Sequence, residues 1–329
     1  MVAARSAVRH PAAFTGVRPL DIARDLAGVA QVVAESFRGE MDPAGERAVR
    51  EMRTIGQLGP LAMWIELFLP VGEGFSPGLV WVEQGRVVGN ATVRRAPTFA
   101  RGYVIGNVAV LPEYRGRGIA RRLMEASLER ARDEGGEWVA LEVRADNAPA
   151  RHLYQSLGFQ QTSAVTQLRR EADSPIMWDA PSHVQIRRPR AGEEGAVFSL
   201  AQAATPEGLR WAEPLRQGEF SFGWDRRFDL WLAGRRESWW VVESKDWIVG
   251  AIEAETLRRP REEGRLRMWV ASGNACHAVL LHAALAAHEV ASRSMLISHP
   301  ATDTTSIEAL GQLGFRHVRT LAHMKLNLK

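Results

Sequence analysis

Lysine is almost missing from this sequence. Lys245, Lys325 and Lys329 are the only three, so arginine supplies 39 of the 42 basic residues. The arginines are scattered and interleaved with acids, and the net charge is only +4. No basic stripe or run stands out, so no nucleic-acid partner is expected. A single cysteine, Cys276, excludes an internal disulfide and fits a reducing, cytoplasmic setting; it reads as the filler of a small buried space, with a nucleophile as the alternative. No apolar run reaches the roughly 18 residues of a membrane-spanning helix. The longest candidate, 278–287, is broken by His282 and reads as a core helix. Residues 1–15 carry Arg5 and Arg9 but no apolar signal stretch, and read as a tail. His277, His282, His288 and His299 lack metal-ligand spacing, so no metal is expected.

The 329 residues, 46% apolar and 24% charged, are enough for two globular domains of ordinary size. The second half repeats the plan of the first. Val17-Arg18-Pro19 opens a segment helical from Ile22 to about Phe37, and Ile186-Arg187-Arg188-Pro189 opens one helical from about Gly192 to Ala204. Hairpins follow: 79–83 and 87–93 around Gln84-Gly85-Arg86, then 239–243 and 247–256 around Ser244-Lys245-Asp246. Gly89 and Gly250 occupy matching places in the second strands. Each half closes with a strand, a helix, a Leu-Gly-Phe step (Leu157-Gly158-Phe159, Leu313-Gly314-Phe315) and a last strand. The acidic, proline-containing stretch 171–183 reads as the linker. The expected domains are therefore 16–170 and 184–329.

Residues 104–110 form an apolar run with Gly106 and Asn107 inside it, as in a buried strand with a local irregularity. Arg115-Gly116-Arg117-Gly118-Ile119-Ala120 then opens an amphipathic helix with Leu123, Met124, Ser127, Leu128 and Ala131 on the apolar face. Glycines in such a turn admit a ligand close to the backbone, and a helix start leaves N–H groups unpaired. These donors, with Arg115, Arg117, Arg121 and Arg122, suit a pyrophosphate. The helix dipole adds only about 0.3–1 kcal/mol, so directed N–H bonds and arginines carry the binding. Taken alone, the turn is equally read as a glycine turn beside a basic helix face.

The stretch from about Val104 to Phe159 resembles the GNAT acetyltransferase superfamily. The resemblance is carried by Asn107-Val108-Ala109-Val110, by 112–120, by Leu141-Glu142-Val143-Arg144-Ala145-Asp146-Asn147, and by Ala150, Tyr154 and Leu157-Gly158-Phe159. It is greatest toward the ribosomal-protein alanine acetyltransferases. It implies two tandem α/β domains, each a mixed, mostly antiparallel sheet flanked by helices. It also implies acetyl-CoA as acyl donor, with its pyrophosphate on the N–H groups of Arg117 to Ala120. Its pantetheine arm would lie on the backbone of Val108, Ala109 and Val110 and on Asn147, with Tyr154 near the sulfur as general acid. The pattern places a catalytic carboxylate at Glu142. Glu142 also reads as a strand residue in a surface salt bridge, and a relayed water is the alternative base. The acceptor would be a primary amine that attacks the thioester directly. Deprotonation at pH 7 costs about 4.6 kcal/mol for a lysine amine but only about 1 kcal/mol for an α-amine.

The second half departs from this pattern. Aligned on Leu-Gly-Phe, it sets Asp303 opposite Asn147 and Leu310 opposite Tyr154, and the turn 270–277 keeps one glycine and no arginine. It is expected to be degenerate and not to bind CoA in the usual way. Trp239, Trp240, Trp247 and Trp269 read as core. Trp211, Trp224 and Trp231 fall in a loop-rich stretch and offer an aromatic wall or further core. Acidic residues within 34–78 (Glu40, Asp42, Glu46, Glu51, Glu66) could attract an amine or simply be solvated. A non-catalytic acyl-CoA sensor or scaffold is the main alternative function, a polyanion-binding module based on the arginines is a third, and the sequence leaves room for a homodimer.

Overall fold

A computed structural model describes residues 14–39, 41, 43–57, 78–96, 101–174, 185–258 and 262–328. Most of the expected tail and residues 175–183 of the expected linker lie outside them. The chain packs as two compact units, Met1–Leu141 with Lys325–Lys329, and Glu142–Met324. That is a division by packing, distinct from the division by repeat expected above.

The first half runs β1 (Gly16–Pro19), α1 (Ile22–Ser36), α2 (Pro43–Gln57), β2 (Leu79–Glu83), β3 (Arg86–Arg95), β4 (Gly102–Val110), α3 (Ile119–Asp133), β5 (Trp138–Arg144), α4 (Ala148–Ser156) and β6 (Gln160–Arg170). The second runs β7 (Ile186–Arg187), α5 (Glu194–Ala204), α6 (Trp224–Leu232), β8 (Arg235–Ser244), β9 (Trp247–Leu257), β10 (Gly264–Val270), α7 (His277–Leu285), α8 (His288–Ala291), β11 (Met295–Pro300), α9 (Thr304–Gln312) and β12 (Arg316–Asn327). Apart from the single-turn α8, the two orders correspond one for one.

In the first unit β1 to β4 pair antiparallel in order, and β5 joins β4 in parallel. In the second unit the strands lie in the order β12-β6-β11-β10-β9-β8-β7. There β10 and β11 are parallel, while β6–β11, β9–β10, β8–β9 and β7–β8 are antiparallel. The last strand of the first half thus pairs over its C-terminal part with a strand of the second, from Met295↔Arg170 to Pro300↔Val165.

The repeat has physical causes. Gly89 lies under α3, where a Cβ would come within 3.2 Å of the Ile119 and Leu123 side chains. Gly250 lies under α7, where a Cβ would meet Cys276 Sγ at 2.5 Å and Leu280 at 2.9 Å. Each glycine lets a helix settle on its hairpin, and Cys276 is the small residue packed on the second of them. Both hairpins turn through two left-handed residues, Gln84-Gly85 and Lys245-Asp246, which matches the strand twist.

The helix ends repeat too. Phe159 N–H donates to Tyr154 O and Gly158 N–H to Gln155 O, while Phe315 donates to Leu310 O and Gly314 to Gly311 O. Gly158 and Gly314 supply φ of 92° and 86°, so both helices close in the same glycine cap. At the helix starts, Arg18 grips Asp25 through two bonds and Arg187 grips Glu193 likewise. Core side chains such as Leu123 and Leu280 are sealed, each burial contributing about 1.5–3 kcal/mol.

The tryptophan expectations are partly overturned. Trp239, Trp240 and Trp269 are buried, but Trp247 is 76% exposed, because it is the first residue of β9 after the turn. Trp224 and Trp231 lie on α6 rather than in a loop and point largely to solvent, whereas Trp211 is buried.

Candidate functional site

The turn between β4 and α3 carries the densest chemistry of the first unit. Asn107 takes φ +49°, and the β3–β4 register slips between Asn90 and Thr92, so the strand irregularity is a bulge. Asn90 Nδ2 and Thr92 Oγ1 donate to the carbonyls of Asn107 and Gly106 at 2.9 and 2.8 Å and hold the bulge in place. Parallel pairing with β5 stops at Ile105↔Leu141, although β4 runs on to Val110. Val108, Ala109 and Val110 therefore leave one strand edge without a backbone partner from β5.

Gly116 and Gly118 both sit at φ +75°, and a Cβ on either would meet nothing within 4 Å. The space above the turn is open. The N–H groups of Gly116, Arg117, Gly118, Ile119 and Ala120 donate to no carbonyl among the described residues, the first bond of the helix being Arg122 N–H to Gly118 O at 3.1 Å. Arg115 Nε bonds Val110 O at 3.1 Å and ties the turn to the strand end. Arg117 bonds Glu113 O at 3.1 Å and lies over the Tyr114 ring. Consecutive free donors, open space and cationic side chains fit a pyrophosphate.

In the second unit Asn147 caps α4, its side chain accepting from Ala150 N–H at 3.1 Å. Tyr154 is buried against Phe159, and burial alone pushes its phenol up to about 12. Glu142 is half exposed, with Oε1 3.4 Å from Nε2 of the sealed His323. Nδ1 of His323 meets Ser163 Oγ at 3.1 Å, and the Trp211 ring abuts the imidazole edge-on. Glu142 opens into a cavity of about 1010 Å³ that also contains Glu213. Glu213 reaches the water of this cavity yet is surrounded by protein, and that burial raises its carboxyl pKa, with His323 opposing the rise and Glu142 adding to it.

His323 and Glu213 were missed by sequence reasoning. They lie 181 and 71 positions beyond Glu142 and carry no local motif; His323 arrives on β12 and Glu213 on the stretch between α5 and α6, so only the folded chain brings them near it. Of the acidic residues considered for the acceptor, Glu46 pairs with Arg50 on α2, and Glu40, Asp42 and Glu66 lie outside the described residues.

The far side of the same cavity belongs to the second half's counterpart of the turn. Pairing of β10 with β11 stops at Leu266↔Ile297 while both strands run on, as β4 and β5 do. Asp303 caps α9 through Ser306 N–H and also bonds Ser306 Oγ and His299 Nε2, which hold its carboxyl below the usual range. Leu310 is sealed where Tyr154 stands in the first half.

Residues 48–159 match the Acetyltransferase (GNAT) family. The chain contains a GNAT domain. Over 80 residues it is 45% identical to the N-alpha-acetyltransferase RimI of Mycobacterium tuberculosis, a match covering 23% of this chain and 48% of that one. The chain spans about half the length of the curated relatives it matches first. A GCN5-related N-acetyltransferase structure from Sphaerobacter thermophilus covers 94% of this chain and 95% of its own, with TM-score 0.63 and 17% identity. A tandem GNAT protein from the clavulanic acid biosynthesis pathway covers 95% and 98%, with TM-score 0.58 and 17% identity. At such identities these two show the fold alone: a GNAT fold repeated in tandem. The free N–H turn thus occurs within the matched domain. No helix among the described residues is long and apolar enough to cross a membrane.

Proposed function

We propose that this protein is an N-acetyltransferase that moves an acetyl group from acetyl-CoA to a primary amine. The observation that carries the reading is the row of free N–H groups from Gly116 to Ala120 in the matched domain. When bound, acetyl-CoA supplies the activated acyl group. Arg117 to Ala120 hold its pyrophosphate through N–H donors, the free edge of Val108, Ala109 and Val110 takes its amide arm, and Asn147 bonds that arm.

Glu142 accepts the amine proton, and His323, held by Ser163, keeps the carboxylate oriented. Glu213 gives the cavity a second acidic group to receive an ammonium. Tyr154 acts at the leaving sulfur. A phenol at about 12 yields its proton to a thiolate of ordinary pKa near 8.5 only uphill, by about 5 kcal/mol. Tyr154 therefore works chiefly as a hydrogen-bond donor to developing negative charge. Release of free thiol from acetyl-CoA across a panel of amino acids, peptides and polyamines tests the function. Binding without release for every amine would leave the sensor reading, and absence of binding would overturn both.

A further inference from the structure

The second half holds another cavity, of about 460 Å³, that shares no lining residue with the one containing Glu142. It lies at α6, the start of β8 and the Arg188-Pro189 turn. Arg188, Arg226, Arg227, Arg235, Arg236 and Arg258 line it against one carboxylate, that of Glu237. Arg226 pairs with Glu237 at 2.5 Å and Arg235 with Glu255 at 2.7 Å. Arg227 and Arg236 have no carboxylate partner among the described residues.

Arg188 lies 4.0 Å over the Trp240 ring and donates to Trp239 O at 3.1 Å. Burial lowers its pKa, Glu289 offsets part of that, and repulsion from Arg227 adds to it. Phe222, Trp231 and Trp239 add aromatic surface to the lining. Trp231, half exposed, carries Arg258 at 5.3 Å over its ring, and Phe222 meets Trp239 edge-on at 5.4 Å.

Cations gathered with few counter-charges repel each other, and that cost is left standing here. A ligand carrying several anionic oxygens offsets the repulsion, and a flat ring on it suits the aromatic lining, since arginine forks match phosphate and stack on rings. The volume lies in the ordinary range of small-molecule sites, about 300–1,000 Å³.

We infer that this cavity binds a small molecule that joins an aromatic ring to a phosphate dianion. Calorimetric titration of the full chain, saturated with CoA so that its own phosphate contacts are occupied, tests this with phenyl phosphate, inorganic phosphate and phenol. Phenyl phosphate is expected to bind at least about tenfold more tightly than either fragment. Charge-assisted bonds are strong enough that the double variant R227Q/R236Q should weaken phenyl phosphate at least about tenfold. Both side chains are exposed, so the variant keeps its fold, which an unchanged urea midpoint verifies. No binding of phenyl phosphate, equal binding of inorganic phosphate, or unchanged affinity in the double variant would each overturn the inference.

Discussion

The two halves follow one plan but differ where ligand chemistry would occur. In the first, the turn before α3 has two left-handed glycines, free N–H groups and Arg115 and Arg117. In the second, the turn before α7 keeps Gly273 at φ +80°, has no arginine, and faces Asp303, an anion by its depressed pKa. Everything that shapes the repeat survives in both: the glycine under the helix, the hairpin turn, the glycine cap and the early end of strand pairing. Architecture and chemistry are thus separable, because packing contacts constrain the buried positions while the open ends of strands accept almost any side chain.

The comparison breaks most visibly at the turn. Gly118→Val cannot hold φ +75° and moves the donors above it. Losing two charge-assisted bonds predicts a fall in acetyl-CoA affinity of at least about 100-fold by calorimetry. Gly273→Ala in the second half should leave that affinity unchanged. Equal losses from both substitutions would show that the halves share the ligand.

The base position gives the next effect. Five residues before the helix cap the first half has Glu142 and the second has Ser298. Glu142→Gln is expected to lower turnover about 100-fold near pH 6, with the deficit shrinking toward pH 9 as the amine loses its proton unaided. A deficit constant with pH would assign the residue to positioning instead. His323→Gln should give a smaller loss with the same slope.

Tyr154→Phe follows. It is expected to lower kcat about tenfold, the worth of one hydrogen bond to a charged group, with acetyl-CoA affinity nearly intact. Unchanged kcat would remove Tyr154 from the leaving-group role and make it the packing equivalent of Leu310.

Much of this was legible in the sequence because it is local. The Leu-Gly-Phe steps, the hairpin turns and the glycine-rich turn are each set by a few adjacent residues with one feasible backbone. The irregularity at Asn107 was legible for the same reason. What escaped depends on distant pairing. No pattern around His323 points to Glu142, since the two lie 181 positions apart and meet only once β12 has taken its place in the sheet. Trp247 misled because it is apolar and its strand begins where expected, yet as the first residue after the turn its side chain faces water.

The smallest effect separates the two helix caps. Asn147 and Asp303 adopt nearly the same backbone, φ −84° and −89°, and each accepts an N–H three residues on at 3.1 Å. Asp303→Asn keeps the cap and removes only the charge that His299 and Ser306 favour. The side chain is partly solvated, so the expected cost is below about 1 kcal/mol at pH 7 in urea unfolding. The sign follows from the depressed pKa: the contribution is full above the ordinary carboxylate value, about 3.9, and fades as pH falls toward the native one. Wild type and Asp303→Asn should therefore converge in acid. Asn147→Ala, with no titrating group, should cost about 1 kcal/mol equally at pH 7 and pH 4. A gap between wild type and Asp303→Asn that persists unchanged at pH 3 would mean that Asp303 acts only as a cap, as Asn147 does.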